Sequence, residues 1–314
     1  MRLRGRPTRQ QYIRPVGFVV TEDSVLVADG GLATELEARG HDLSDPLWSA
    51  RLLVDAPEEV TAAHLSFFRA GATIATTASY QASFDGYAAR GIRRDEAVRL
   101  LRRSVEIAVA ARAEAGRSGS STRQRWVAAS VGPYGAARAD GSEYRGRYGL
   151  SVAQLEAWHR PRLEALADAG ADVLALETIP DADEAEALVN IVRSLGVPAW
   201  LSYTIAGSRT RAGQPLDDAF AVTAGVPEIV AVGVNCCAPA DVLAAIGPAV
   251  GTGKPVIVYP NSGEHWDPAR RAWFGESQFS ATLAAQWVAA GARVVGGCCR
   301  VRPTDIAELA AGLT

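Results

Sequence analysis

The sequence predicts an α/β protein built as a single (β/α)8 TIM barrel, and three observations carry that prediction. Apolar runs of strand length recur eight times along the chain, and helix-like stretches fill the spaces between them. The joint from helix to following strand repeats as Ala-Gly-Ala at residues 70–72, 169–171 and 290–292. Eight strand–helix units close a barrel without remainder, which sets the doubly wound open sheet in second place.

In chain order the runs are Val25–Ala28, Thr73–Thr77, Trp126–Val131, Val173–Leu176, Ala199–Tyr203, Ile229–Val234, Val256–Tyr259 and Arg293–Gly296. They are continuously apolar rather than alternating, as strands buried on both faces of a parallel sheet require. Helices are expected over Pro57–Ala70, Arg94–Ala115, Val152–Ala169, Asp183–Leu195, Pro239–Ile246, Ser280–Ala290 and Pro303–Ala311. Gly71, Gly170, Gly196 and Gly291 stand just past four of those helices, where a left-handed residue closes the last turn. The Gly- and Ser-rich stretch Gly116–Thr122 is expected as a surface loop inside the barrel, not a domain boundary. The domain therefore spans residues 21–314, after a flexible basic arm over residues 1–20. That arm carries Arg2, Arg4, Arg6, Arg9 and Arg14, with no acid before Glu22.

Composition excludes several classes. With 48% hydrophobic and 21% charged residues in 314, the chain is ordinary for a folded globular protein. A formal net charge of -3 gives no electrostatic case for nucleic acid. The apolar run Val16–Val20 is too short for a signal-peptide core or a membrane span, so a cytoplasmic, membrane-free location is expected.

The four cysteines form two adjacent pairs, Cys236-Cys237 and Cys298-Cys299, each just beyond a predicted strand, the sixth and the eighth. Active sites of such barrels lie at the carboxyl ends of the strands, so both pairs fall on the functional rim. Four readings compete: vicinal disulfides, a dithiol redox centre, a closed four-cysteine zinc site, and a catalytic zinc held by three thiolates with one open position. Strain and a reducing compartment weigh against the first. The usual two-residue spacing, absent here, weighs against the second and third. Placement favours the fourth. Three soft thiolates make zinc a poor activator of water and suit a sulfur ligand in the open position, a thiol that binds as the nucleophilic thiolate. His41, His64 and His159 fall in helical or loop settings and only His265 on the rim, which disfavours a zinc hydrolase.

Motifs along nearly the whole chain, from about Val25 to Leu309, resemble those of the homocysteine S-methyltransferase family, close to its S-methylmethionine-using members. They are Asp29-Gly30-Gly31-Leu32-Ala33-Thr34-Glu35, Thr77-Ala78-Ser79-Tyr80-Gln81, Ser130-Val131-Gly132-Pro133-Tyr134-Gly135 and Asp140-Gly141-Ser142-Glu143-Tyr144. Leu176-Glu177-Thr178, Gly233-Val234-Asn235-Cys236, Pro260-Asn261-Ser262-Gly263-Glu264 and Gly296-Gly297-Cys298-Cys299-Arg300 complete the set.

The resemblance implies one Zn2+ per chain on Cys236, Cys298 and Cys299. Cys237 is read as a small apolar filler, because neighbours at a strand end point opposite ways. Asp29 and Glu177 resemble the carboxylates that hold the ammonium of L-homocysteine; helix caps are the competing reading for both. Gly30 and Gly31 are expected to offer backbone N–H groups to its carboxylate. Asn235 is expected to orient Cys236 or the substrate. Trp48 and Tyr80 would be aromatic walls for a methylsulfonium cation, with helix core the alternative for Trp48. Glu264 would add negative charge beside that cation, or stand as a solvated acid.

The implied reaction is methyl transfer from S-methylmethionine, or from S-adenosylmethionine, to L-homocysteine, giving methionine. Betaine-dependent and selenohomocysteine methyltransferases of the same family are the alternatives; a zinc hydrolase and a zinc or thiol sensor are more distant. Betaine-using relatives continue into a long arm where this chain stops soon after Cys299, which favours the sulfonium donors.

Overall fold

The computed structural model describes residues 17–45, 47–118, 123–267 and 272–313. Eight parallel strands line up as β1 (Leu26–Val27), β2 (Ile74–Thr76), β3 (Trp126–Val131), β4 (Val173–Ile179), β5 (Ala199–Tyr203), β6 (Ile229–Asn235), β7 (Val256–Tyr259) and β8 (Ala292–Val295). They neighbour one another in chain order, with β8 pairing back onto β1. A parallel bridge from Ala28 to Ile74 joins β1 to β2 and completes the ring. The expected barrel is present, and each expected strand lies within a few residues of an observed one.

Two apolar layers hold it. Inside the ring, Ile74, Ala128, Ala175, Ala231, Ile257 and Val294 pack with Trp126 and Trp200. Between ring and helices, Val127, Leu174, Leu201, Val232, Val258 and Val295 meet the buried faces of helices such as Pro57–Arg69 and Ala182–Leu195. The strands are thus buried on both sides, which is why their sequences do not alternate. The repeated joints behave as expected: Gly71, Gly170 and Gly291 have φ of 103°, 85° and 123°.

Two expectations change. The helix that begins at Arg94 runs to Ser118, through Gly116 and past the expected loop start. Ala108, Ala111 and Ala115 fix its inner face in the core, and that packing outweighs the low helix propensity of one glycine. Residues 119–122 of the expected loop lie outside the described residues, as do residues 1–16 of the expected arm. The end of that arm is not free: Phe18 is buried among the inner layer, edge-on to Trp126 with ring centroids 5.6 Å apart. It plugs the end of the ring where β3 and β5 begin, opposite the rim that carries the cysteines.

Candidate active site

Cys236 follows β6 with φ of 49°, a left-handed conformation that is costly for a residue with a side chain. Its amide donates to the Tyr259 carbonyl at 3.2 Å, and the Thr204 hydroxyl donates to its carbonyl at 3.1 Å. This twist aims the Cys236 thiol into the bowl above the barrel, while Cys237 is fully buried in the outer apolar layer. Beyond β8 the chain must pass close to β1. An added Cβ at Gly296 would lie 2.7 Å from the Ala28 side chain, and one at Gly297 2.3 Å from Val301. Cys298 and Cys299 then lie in a turn, where strand alternation no longer applies, and both thiols face the bowl.

The sulfurs of Cys236, Cys298 and Cys299 all lie within 4.8 Å of one another, with Cys236 and Cys299 3.9 Å apart. Zinc–sulfur bonds of about 2.3 Å in a tetrahedron place ligands about 3.8 Å apart, so the cluster fits that ion. S–H groups of Cys298 and Cys299, with the Tyr144 hydroxyl, push the Cys236 thiol well below the usual range, and the other two thiols are pushed up in turn. Cys237 is pushed up by burial, as an apolar filler would be. His41 pairs with Glu59 and His159 with Glu184; among the described residues no histidine joins the thiols. The side chain of His265 lies outside the described residues.

Two buried carboxyls face the same bowl. Asp29, just past β1, accepts from the Thr76 amide at 2.7 Å and the Thr76 hydroxyl at 3.0 Å. Glu177, in β4, accepts from the Ser130 hydroxyl and from the Tyr259 hydroxyl at 3.1 Å. Neither caps a helix: Gly31 stands at the start of Leu32–Ala38, and Asp181 caps Ala182–Leu195. Neither meets a cation among the described residues. Burial pushes Asp29 up to about 8, against the pull of its Thr76 bonds. Burial likewise pushes Glu177 up to about 7, against the bonds from Ser130 and Tyr259. Two buried carboxyls that feel each other's charge, with no cation beside them among the described residues, can accept a cationic group such as an ammonium.

Other expected residues are placed differently from one another. The Gly31 amide donates to the Val301 carbonyl at 2.9 Å, so that amide, expected to face a substrate carboxylate, is engaged within the chain. Both glycines are needed for another reason: a Cβ at Gly30 would lie 2.5 Å from the Val301 carbonyl, and one at Gly31 2.6 Å from that of Cys298. Asn235 is buried and does not reach into the bowl. It accepts from the Thr178 amide at 2.7 Å and the Ser202 hydroxyl at 2.9 Å, and donates to the Thr178 hydroxyl at 2.7 Å. It thereby fixes Thr178, whose φ is 61°, and with it the end of β4 beside Glu177. Tyr80 and Trp48 meet edge to face at 6.2 Å, with Trp48 half-buried while Leu47, Leu52 and Leu53 form the core behind it. Glu264 is paired with Arg300 at 3.1 Å, so its charge is already matched.

Sequence reasoning gave no role to Tyr144, whose hydroxyl lies 3.2 Å from the Cys236 sulfur. Nor did it find Asn261, which accepts from the Cys299 amide at 3.1 Å, or the Thr76, Ser130 and Tyr259 partners of the carboxyls. The Ser142-Glu143-Tyr144 motif was the available signal for the first.

The profile of the homocysteine S-methyltransferase family matches residues 26–313. The chain is 48% identical to the homocysteine S-methyltransferase of Escherichia coli over 95% of its own length and 98% of that protein. It is 43% identical to the homocysteine S-methyltransferase YbgG of Bacillus subtilis, over 95% and 98% respectively. The metallated form of the Escherichia coli homocysteine methyltransferase MmuM superposes with a TM-score of 0.84 at 47% identity, covering 92% of this chain and 96% of that one. With three thiols gathered on a barrel rim above two unpaired carboxyls, and with these matches along its length, the chain belongs to the homocysteine S-methyltransferase family of enzymes.

Proposed function

We propose that this enzyme moves a methyl group from a sulfonium donor, S-methylmethionine in first place and S-adenosylmethionine in second, to the sulfur of L-homocysteine. The three converging thiols carry this reading: a zinc ion that they held would have room for one more ligand, and soft sulfur ligands favour another sulfur there. Zinc held by Cys236, Cys298 and Cys299 would supply a lowered pKa for the thiol of homocysteine, so that the nucleophile is a thiolate at neutral pH.

The remaining work belongs to the chain. Asp29 and Glu177 seat the ammonium of homocysteine and, by binding it, become ionised. The Gly30 amide faces its carboxylate. Thr76, Ser130 and Tyr259 hold the two carboxyls in place, and Asn235 holds the end of β4. Tyr80 and Trp48 line the side from which the cationic methyl group arrives, where ring faces attract a sulfonium. The thiolate attacks the methyl carbon in line, the carbon–sulfur bond of the donor breaks with its electron pair left on sulfur, and a neutral thioether departs. No general acid is needed, because the leaving group is uncharged.

Competition between S-methylmethionine, S-adenosylmethionine and betaine at equal concentrations tests the donor. Methyl transfer from the sulfoniums without transfer from betaine is expected; betaine turnover equal to that of S-methylmethionine would refute the assignment.

A further inference from the structure

The loop carrying Glu143 and Tyr144 and the loop carrying Arg211 meet on one side of the thiol cluster, and both hold groups that find no partner among the described residues. Oε2 of Glu143 and Nε of Arg211 are buried without a hydrogen-bond partner among the described residues. Arg211 forms no ion pair among the described residues, whereas Arg138 is matched by Asp140 and Arg300 by Glu264. Its guanidinium lies over the Tyr144 ring, 5.7 Å from the centroid, and the Tyr144 hydroxyl in turn lies 3.2 Å from the Cys236 sulfur. Burial pushes the Glu143 carboxyl up, and the charge of Cys236 adds to the effect.

The two loops are one wall. Asp181 accepts from the Arg147 amide at 2.9 Å and from the Gln214 side chain at 2.6 Å, and the Arg147 guanidinium donates to the Ala212 carbonyl at 3.1 Å. Arg211 is therefore held relative to Tyr144 rather than left to wander, which lowers the entropy lost when a ligand arrives. A half-buried guanidinium over the Tyr144 ring, with an unpartnered buried carboxyl oxygen on the residue before it, forms a seat for a molecule that carries both signs of charge. Homocysteine has its own seat at Asp29, Glu177 and Gly30, so the second seat is free for the other substrate.

We propose that Arg211 binds the α-carboxylate of the methyl donor, with Glu143, the residue before Tyr144, serving its cationic part. The inference rests on the sulfonium-donor reading above and specifies it: the donor is recognised as an α-amino acid, a head group that S-methylmethionine and S-adenosylmethionine share and that trimethylsulfonium lacks.

Steady-state kinetics on the zinc-loaded full chain test this with S-methylmethionine and trimethylsulfonium as donors. Arg211→Gln should raise the KM for S-methylmethionine about ten- to a hundredfold, the loss expected for one charge-assisted contact. It should leave the KM for homocysteine, and kcat at saturating donor, within about twofold of wild type. Arg211→Lys should recover part of the loss. Turnover of trimethylsulfonium should be the same in wild type and Arg211→Gln, while Glu143→Gln should weaken both donors. An unchanged KM for S-methylmethionine in Arg211→Gln, an equal loss with trimethylsulfonium, or a loss confined to homocysteine would each overturn the proposal. Failure of the wild-type enzyme to use either sulfonium would instead overturn the donor reading on which it stands.

Discussion

Replacing Asp29 by Asn keeps the shape of the site and removes one negative charge. Asn can still accept from the Thr76 amide, and its NH2 group meets a hydroxyl able to accept. With its pKa raised to about 8, Asp29 carries about 0.9 of a proton at pH 7, and Glu177, at about 7, carries about half of one. In the proposed complex an ammonium seated between them favours the ionised forms, so homocysteine binding should expel these protons as well as that of its own thiol. Isothermal titration calorimetry in buffers of different ionisation enthalpy should count about one proton fewer for Asp29→Asn. Affinity should fall about ten- to a hundredfold, for a lost interaction of about 1.5–3 kcal/mol.

Stability should move the other way. The folded-state pKa of Asp29 lies above the unfolded value, so its stabilising contribution is complete below about pH 4 and is lost as pH rises towards about 8. The shift from 3.8 to about 8 is worth on the order of 5 kcal/mol. Asn cannot ionise, so the unliganded variant should melt above wild type at pH 8 and close to it at pH 4. An unchanged proton count together with a lower Tm at pH 8 would refute the reasoning.

Cys298→Ala should lose most of its zinc and its activity, measured by metal analysis of the purified protein, because ligand number sets both charge and geometry. Cys237→Ser should keep one zinc per chain, since its thiol lies in the apolar layer and not in the cluster. Gly30→Ala should abolish homocysteine binding in calorimetry while the protein remains folded by circular dichroism, as the new methyl group pushes against the turn that bears Cys298. Phe18→Ala should cost about 3–5 kcal/mol in urea unfolding with little change in kcat, because the plug is at the end of the barrel remote from the thiols.

The barrel was legible because its strands are buried on both faces, and runs such as Trp126–Val131 and Ala199–Tyr203 have no other ready explanation. The thiol cluster was legible because two cysteine pairs stood at strand ends, and topology then brings β6 and β8 to either side of β7. What the sequence hid depends on contacts between distant segments. Phe18 sits in an arginine-rich stretch that gives no sign of a core residue. Glu264 reads as a free acid until the turn after Cys299 places Arg300 against it, 36 positions away. The Gly31 amide reads as open until Val301 is seen above it. Tyr144 reaches Cys236 only because its loop folds across the bowl, and Arg211 has no motif at all.

The proposed reaction is direct transfer of a methyl group from a sulfonium to homocysteine at the three-cysteine site. Carbon-13-labelled homocysteine, offered to the zinc-loaded enzyme with S-methylmethionine bearing deuterated methyl groups, tests it by mass spectrometry of the product. Methionine with both the carbon-13 backbone and one trideuterated methyl is expected, lost on chelation of the metal and restored by zinc. Methionine without the doubly labelled species, or labelled product that persists in a zinc-free Cys236→Ser variant, would contradict the account.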